Sequence, residues 1–234
     1  MKQATKAFSL GLVLLVSIFF GNARAFAQTN IYSGGTVLDR STLDSILAGD
    51  GPVTEGFEAF PVPAGLPASI PSVLDNTDPV YGFGSGMVVP GVTFRGALQW
   101  NGVGYYGQPS KDIGSGSTLE IDFSTPTPAF GLDLLVFAGY GDDAVVNVYG
   151  ADDTTLLANV SGLTISDPSS PVFFGYQDAG GIGMVQIEGT YRTWSPLIDN
   201  VTFAPVPEPS VSVLVVTGGL LLVSTLVRRQ RAVR

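Results

Sequence analysis

The chain has 234 residues, and between positions 28 and 206 it carries 19 acidic residues against four basic ones (Arg40, Arg95, Lys111 and Arg192), a net charge of −15. A field of that sign repels phosphate backbones, which excludes nucleic acid as a partner, and it attracts cations such as Ca²⁺. Histidine and cysteine are both absent, which removes thiol nucleophiles, disulfides, imidazole and thiolate metal sites and the commonest general base, so catalysis here would have to run on carboxylates.

The chain opens with Lys2 and Lys6, an apolar stretch over 10–20 interrupted by Gly11 and Ser17, and Ala25-Phe26-Ala27 ahead of Gln28. This is the three-part layout of a secretory signal, with small residues that suit signal peptidase and an apolar core too short to span a bilayer comfortably. Residues 1–27 are therefore expected to form a signal helix that is removed on export. Residues 28–52 read as a lead-in containing one short helix. There Ser41-Thr42-Leu43-Asp44 has the form of a capping box, Leu43, Ile46 and Leu47 share a helical face, and Gly49 can end the turn.

From residue 53 to 204 the helical period disappears, and short apolar runs recur between Gly, Pro, Asp and Ser clusters. Strands are expected at 54–60, 80–83 and 88–95, the last broken by Pro90. Residues 119–123 alternate strictly, as a strand with one wet face does, whereas 130–138 are apolar on both faces and suit a central strand. The runs 145–149 and 156–160 flank an acidic turn, Gly150-Ala151-Asp152-Asp153-Thr154-Thr155, and read as a hairpin. Further strands are expected at 171–176, 183–188 and 197–203. Nine or so short strands without a helix after each one predict an all-β fold, a two-sheet antiparallel sandwich.

Two groups of side chains stand out within this body. Alternation turns Asp199 to the same side as Val201 and Phe203, and Glu58 to the side of Phe60, so both carboxylates face the apolar interior and need partners. Trp100, Tyr105 and Tyr106 lie in a glycine-rich stretch, and Tyr191 and Trp194 in another. There, flat rings can stack on sugar faces while Asn101 and Gln108 hydrogen-bond hydroxyls. Asp142-Asp143 and Asp152-Asp153 are adjacent acids in turns, a position that serves local hydrogen bonding better than glycoside hydrolysis. Ser85 and Ser115 lack both the spacing of a nucleophile elbow and a histidine to activate them, and Gly82-Phe83-Gly84-Ser85-Gly86 lacks the lysine of a phosphate loop. No catalytic residue is expected.

Phe57-Glu58 at the opening, Pro90-Gly91-Val92-Thr93-Phe94, and Ile198-Asp199-Asn200-Val201-Thr202-Phe203 at the close resemble segments of concave jelly-roll modules, carbohydrate-binding ones among them. The resemblance implies a jelly-roll-like sandwich in which Glu58 and Asp199 hold a structural Ca²⁺. It leaves open a carbohydrate-binding module or, further off, a carboxylate-based glycan-active enzyme.

After Pro205 comes Pro207-Glu208-Pro209, then an apolar stretch over 211–227 that includes Gly218 and Gly219, then Arg228, Arg229, Arg231 and Arg234. Seventeen residues at helical rise reach about 25 Å, enough for a thin hydrocarbon core, and arginines hold their end in the cytoplasm. Residues 205–234 resemble the PEP-CTERM sorting signal, with Pro207, Glu208 and Pro209 as its motif and Arg228, Arg229 and Arg231 in its basic end. The resemblance implies export across the inner membrane, transient anchoring by a C-terminal transmembrane helix, and processing by an exosortase near Pro-Glu-Pro. Delivery would be to the cell surface or an exopolysaccharide matrix.

Overall fold

The structure, a computed structural model, describes residues 29–31, 35–77, 85–189 and 196–204. The signal segment, the expected strand at 80–83, Tyr191 and Trp194, and the whole tail, including Pro207, Glu208, Pro209, Arg228, Arg229 and Arg231, lie outside the described residues. Among the described residues no helix is long and apolar enough to cross a membrane.

Thirteen strands and one α-helix make up the described chain. In order they are β1 (Thr29–Ile31), β2 (Thr36–Leu38), α1 (Arg40–Leu47), β3 (Val53–Glu55), β4 (Pro67–Ser69), β5 (Val73–Leu74), β6 (Val92–Arg95), β7 (Leu98–Asn101), β8 (Asp112–Ser115), β9 (Leu119–Leu135), β10 (Asp142–Gly150), β11 (Leu156–Ile165), β12 (Val172–Gly189) and β13 (Leu197–Phe203). All pairings are antiparallel, and the body is β-sandwich-like.

Its frame is a pair of long strands that each serve two sets of neighbours. The first part of β9, 119–123, lies between β6 and the end of β12, and β10, β11 and β1 continue outward from there. The last part of β9, 130–135, lies between β13 and the start of β12, with β2 on the far side of β12 and β3, β8, β7 and β4 beyond β9. Register slips where the strands change neighbours, between Gln177 and Ile182 on β12. On β9 the matching segment holds Pro126 and Pro128, which have no N–H to give a ladder and are tolerated at such an irregularity. The expected strands 119–123 and 130–138 are thus one strand, as are 171–176 and 183–188, because the prolines and Gly180-Gly181 bend the chain without ending it.

One apolar core joins both parts, with Phe94, Ile121, Phe130, Phe174, Val185 and Phe203 fully or almost fully buried. Helix α1 closes one side, burying Leu43 and Leu47 against Ala129 and Ala204. It sits this close because Gly131 of β9 has no Cβ, which would stand 2.5 Å from Leu43 Cδ2. The helix is capped by Asp39, whose carboxylate accepts from Thr42 N at 2.7 Å, two residues before the Ser41 at which the capping box was expected. The 28–52 segment is woven into the sheet, through β1 on β11 and β2 on β12.

Candidate functional site

Strand β7 decides what becomes of the first aromatic group. Leu98 and Trp100 both point inward, and Trp100 is wholly buried, packed at 5.6 Å from the ring of Phe57 and 4.9 Å from that of Phe60. Its Nε1–H donates to Phe57 O at 2.9 Å. Trp100 therefore belongs to a strand and the core, which corrects the expectation of a loop residue open to ligand: Leu98-Gln99-Trp100-Asn101 is paired with β8 and β4 on either side.

Beyond Asn101 the chain leaves the sheet and passes Tyr105 and Tyr106 on a short 3-10 turn. Tyr106 is 53 % exposed and adopts a left-handed backbone (φ 47°, ψ 35°), with Gly104 and Gly107 also at positive φ. For a bulky residue such a conformation costs on the order of 1–2 kcal/mol. The ring is braced by Tyr105 at 4.7 Å and Phe137 at 5.4 Å, both edge-to-face, and Ala138 N donates to Tyr106 O at 2.8 Å. Val103, Leu66 and Tyr140 are exposed close by in sequence or along the same bonded loops, Gly65 N donating to Val103 O and Gly102 N to Leu66 O. Burial and the neighbouring Tyr106 raise the Tyr105 phenol above its usual range, with Gln99 hydrogen-bonding it. Gln99 in turn donates to Asn101 Oδ1 at 2.6 Å.

The inward acids form the second group, and they differ from the expected pair. The chain turns after Glu55, with Phe57 at φ 55°, so alternation fails: Glu58 sits in an exposed turn and Glu55 is the buried acid. Glu55 accepts from Phe57 N at 2.5 Å and from Val89 N at 2.7 Å, tying two loops together, while burial raises its pKa. Glu58 is served by Lys111, whose ammonium lies 3.6 Å from Glu58 Oε2 and donates to the carbonyls of Glu58 and Phe60 at 2.8 and 2.9 Å. A lysine thus supplies positive charge amid oxygens that resemble a cation shell. A cleft of about 360 Å³ is lined by both glutamates. Glu55 meets it with its oxygens already committed to backbone N–H groups.

Asp199 is buried as alternation predicts, and it lies directly across from Asp133 of β9. Two like charges in that position repel. The bulge at Asn200 (φ 51°) resolves the conflict: its amide donates to Asp133 Oδ2 at 2.9 Å and reaches Asp199 Oδ2 at 3.3 Å, and Arg40 of α1 pairs with Asp133. Asp199 also accepts from Ser110 Oγ at 2.6 Å, yet burial pushes its pKa up to about 6. Asp112, cross-strand from Asn101, is wholly enclosed; burial pushes it up to about 8 against the lowering effect of the Asn101 bond at 2.6 Å. Its Oδ2 meets no hydrogen-bond partner among the described residues. Glu55, Asp112 and Asp133 were not singled out by pattern; an acid inside the apolar run 130–138 was the available signal for Asp133.

Asp152 and Asp143 serve the β10–β11 hairpin. Asp152 accepts from Thr155 Oγ1 and from the N–H groups of Thr155 and Thr154, which holds its carboxyl well below the usual range and closes the β10–β11 turn. Asp143 accepts from Thr164 Oγ1 across the same hairpin, on strand β10 and outside the turn where it was expected. Among the described residues no group of three or more acids is arranged to hold a metal ion. Comparison with known protein families, curated proteins and solved structures gives no match.

Proposed function

We propose that the chain is an exported bacterial protein, sorted and processed through a PEP-CTERM-type tail, whose β body is a non-catalytic binding or structural module of the cell surface or exopolysaccharide matrix. The observation that carries this reading is the tail: Pro207-Glu208-Pro209, then the apolar stretch 211–227, then the arginine cluster, in that order. In this reading residues 1–27 are removed by signal peptidase. The body is a two-sheet, jelly-roll-like sandwich, and 211–227 crosses the inner membrane until an exosortase-type enzyme cuts near Pro-Glu-Pro.

A seam at the right position supports it. Phe203 and Ala204 are buried and Ala204 N donates to Thr127 Oγ1, so the chain is tied into the core up to the residue before Pro205. In this reading the role of the prolines that follow is to hold the cleavage segment extended for the processing enzyme. A non-catalytic body is supported by the lack of histidine and cysteine in the sequence and by Glu55 and Asp133, whose oxygens are engaged by backbone, amide or arginine.

Replacing Pro207, Glu208 and Pro209 together with alanine is expected to leave a membrane-bound precursor that retains its tail, read by mass spectrometry of membrane and medium fractions. Release of that variant at the wild-type mature mass would overturn the sorting assignment.

A further inference from the structure

We infer that the loops around Tyr106 form a binding face for the uncharged sugar rings of a polysaccharide. This deepens the binding-module reading above and rests on it.

Three loop segments meet at this end of the body: 61–66, 102–109 and 136–141. None contains a charged residue, in a body whose net charge is −15. They are stitched together by backbone bonds from Gly65 to Val103, Gly102 to Leu66 and Ala138 to Tyr106. The rings of Tyr105, Tyr106 and Phe137 hold one another edge-to-face, so the outer ring is set before any ligand arrives. Tyr106 is exposed from a left-handed backbone that a tyrosine adopts at a cost, and unlike Phe57, which pairs a positive φ with full burial in the core, it directs its ring into solvent.

The chemistry of the face selects the occupant. A pyranose offers an apolar C–H face rimmed by hydroxyls, which matches a phenol ring with its hydroxyl at the edge. Anionic lipid surfaces and acidic polymers need lysine or arginine, which these loops lack, and they meet repulsion from the rest of the body. A second copy of the chain brings the same net charge.

The test is affinity electrophoresis of the full-length chain, in detergent, through gels cast with dextran, galactomannan or glucomannan. Wild-type retardation by at least one of these, reduced about tenfold in Tyr106→Gly and kept in Tyr106→Phe, is the expected result. Glycine takes the left-handed backbone without strain, so that variant keeps the fold, and Tyr140→Ala provides a second, independent change. Equal retardation of wild type, Tyr106→Gly and Tyr140→Ala would overturn the site while leaving a binding module. No retardation by any of the three polymers would overturn the sugar assignment while the tail-processing experiment stands untouched. Tyr106-dependent sedimentation with phosphatidylcholine vesicles, or a Tyr106-dependent dimer in sedimentation velocity, would give the face to another occupant and overturn the proposal.

Discussion

Trp100 and Tyr106 are six residues apart and do opposite things. Trp100 lies on a paired strand, is enclosed by Phe57 and Phe60, and spends its one polar atom on a backbone carbonyl. Tyr106 lies beyond the strand end, on a glycine-flanked turn, with about half its surface in water. The polar residues that follow the two rings do not differ in this way: Asn101 turns inward to Asp112 and Gln108 is buried and donates to Val136 O, although the loop around Tyr106 carries no charged residue. Aromatic content therefore says little until the backbone state is known. The interior around β7, β8 and β13 is committed to folding, and the loop end is available for something else.

The largest effect is expected from breaking the interior. Trp100→Ala removes a fully buried indole and leaves Phe57 O without its donor, so the domain should lose about 3–5 kcal/mol, measured by denaturant unfolding. Trp100→Phe should recover part of that loss, because the ring contacts survive and the hydrogen bond does not. A small loss in Trp100→Ala would erase the distinction between the two regions.

The next effect comes from Asp112, and its sign is fixed by burial. An acid raised to about 8 in the fold, against about 4 when unfolded, keeps its proton in the folded chain while the unfolded chain gives it up. That contribution to stability is complete below pH about 4 and is lost as pH rises toward 8, on the order of 1 kcal/mol per pH unit. Asp199 adds to the same slope up to about pH 6. Asp112→Asn keeps an acceptor for Asn101 and removes the charge, so it should match wild type near pH 4 and melt progressively higher than wild type toward pH 8. Asp152 works in the opposite sense, its stabilisation present above the usual carboxylate range and lost in acid. A melting series from pH 4 to 8 that shows parallel curves for Asp112→Asn and wild type would contradict the buried-acid account.

Much of this interior was legible in the residues, and the exceptions have physical causes. Leu43 and Leu47 mark α1, Asp152 marks the hairpin turn, and the apolar run after Ala129 marks a central strand; in each case a local pattern and the tertiary demand agree. Pro126, Pro128 and Gly180-Gly181 read as strand ends, yet β9 and β12 run through them, because a bend shared by two paired strands needs the same residue types as a stop. The exchange of Glu55 for Glu58 follows from one backbone angle at Phe57, which no periodicity reports. Trp100 was masked by the glycines around it, though Leu98-Gln99-Trp100 does alternate.

The smallest expected effect is the stability of Tyr106→Gly, and it sharpens the comparison most. Removing the ring forfeits two edge-to-face contacts, each worth about 0.5–1.5 kcal/mol and toward the lower end for a ring half in water. Removing the Cβ relieves about 1–2 kcal/mol of left-handed strain, offset in part by the extra freedom glycine has when unfolded. The terms nearly cancel, so the melting temperature should shift by no more than the equivalent of about 1 kcal/mol. A much larger drop would mean that Tyr105, Tyr106 and Phe137 are a structural brace like Phe57, Phe60 and Trp100, and that the strain at Tyr106 is a tax on folding. A near-zero shift leaves that strain without a folding purpose, which is what a residue held outward for a ligand requires.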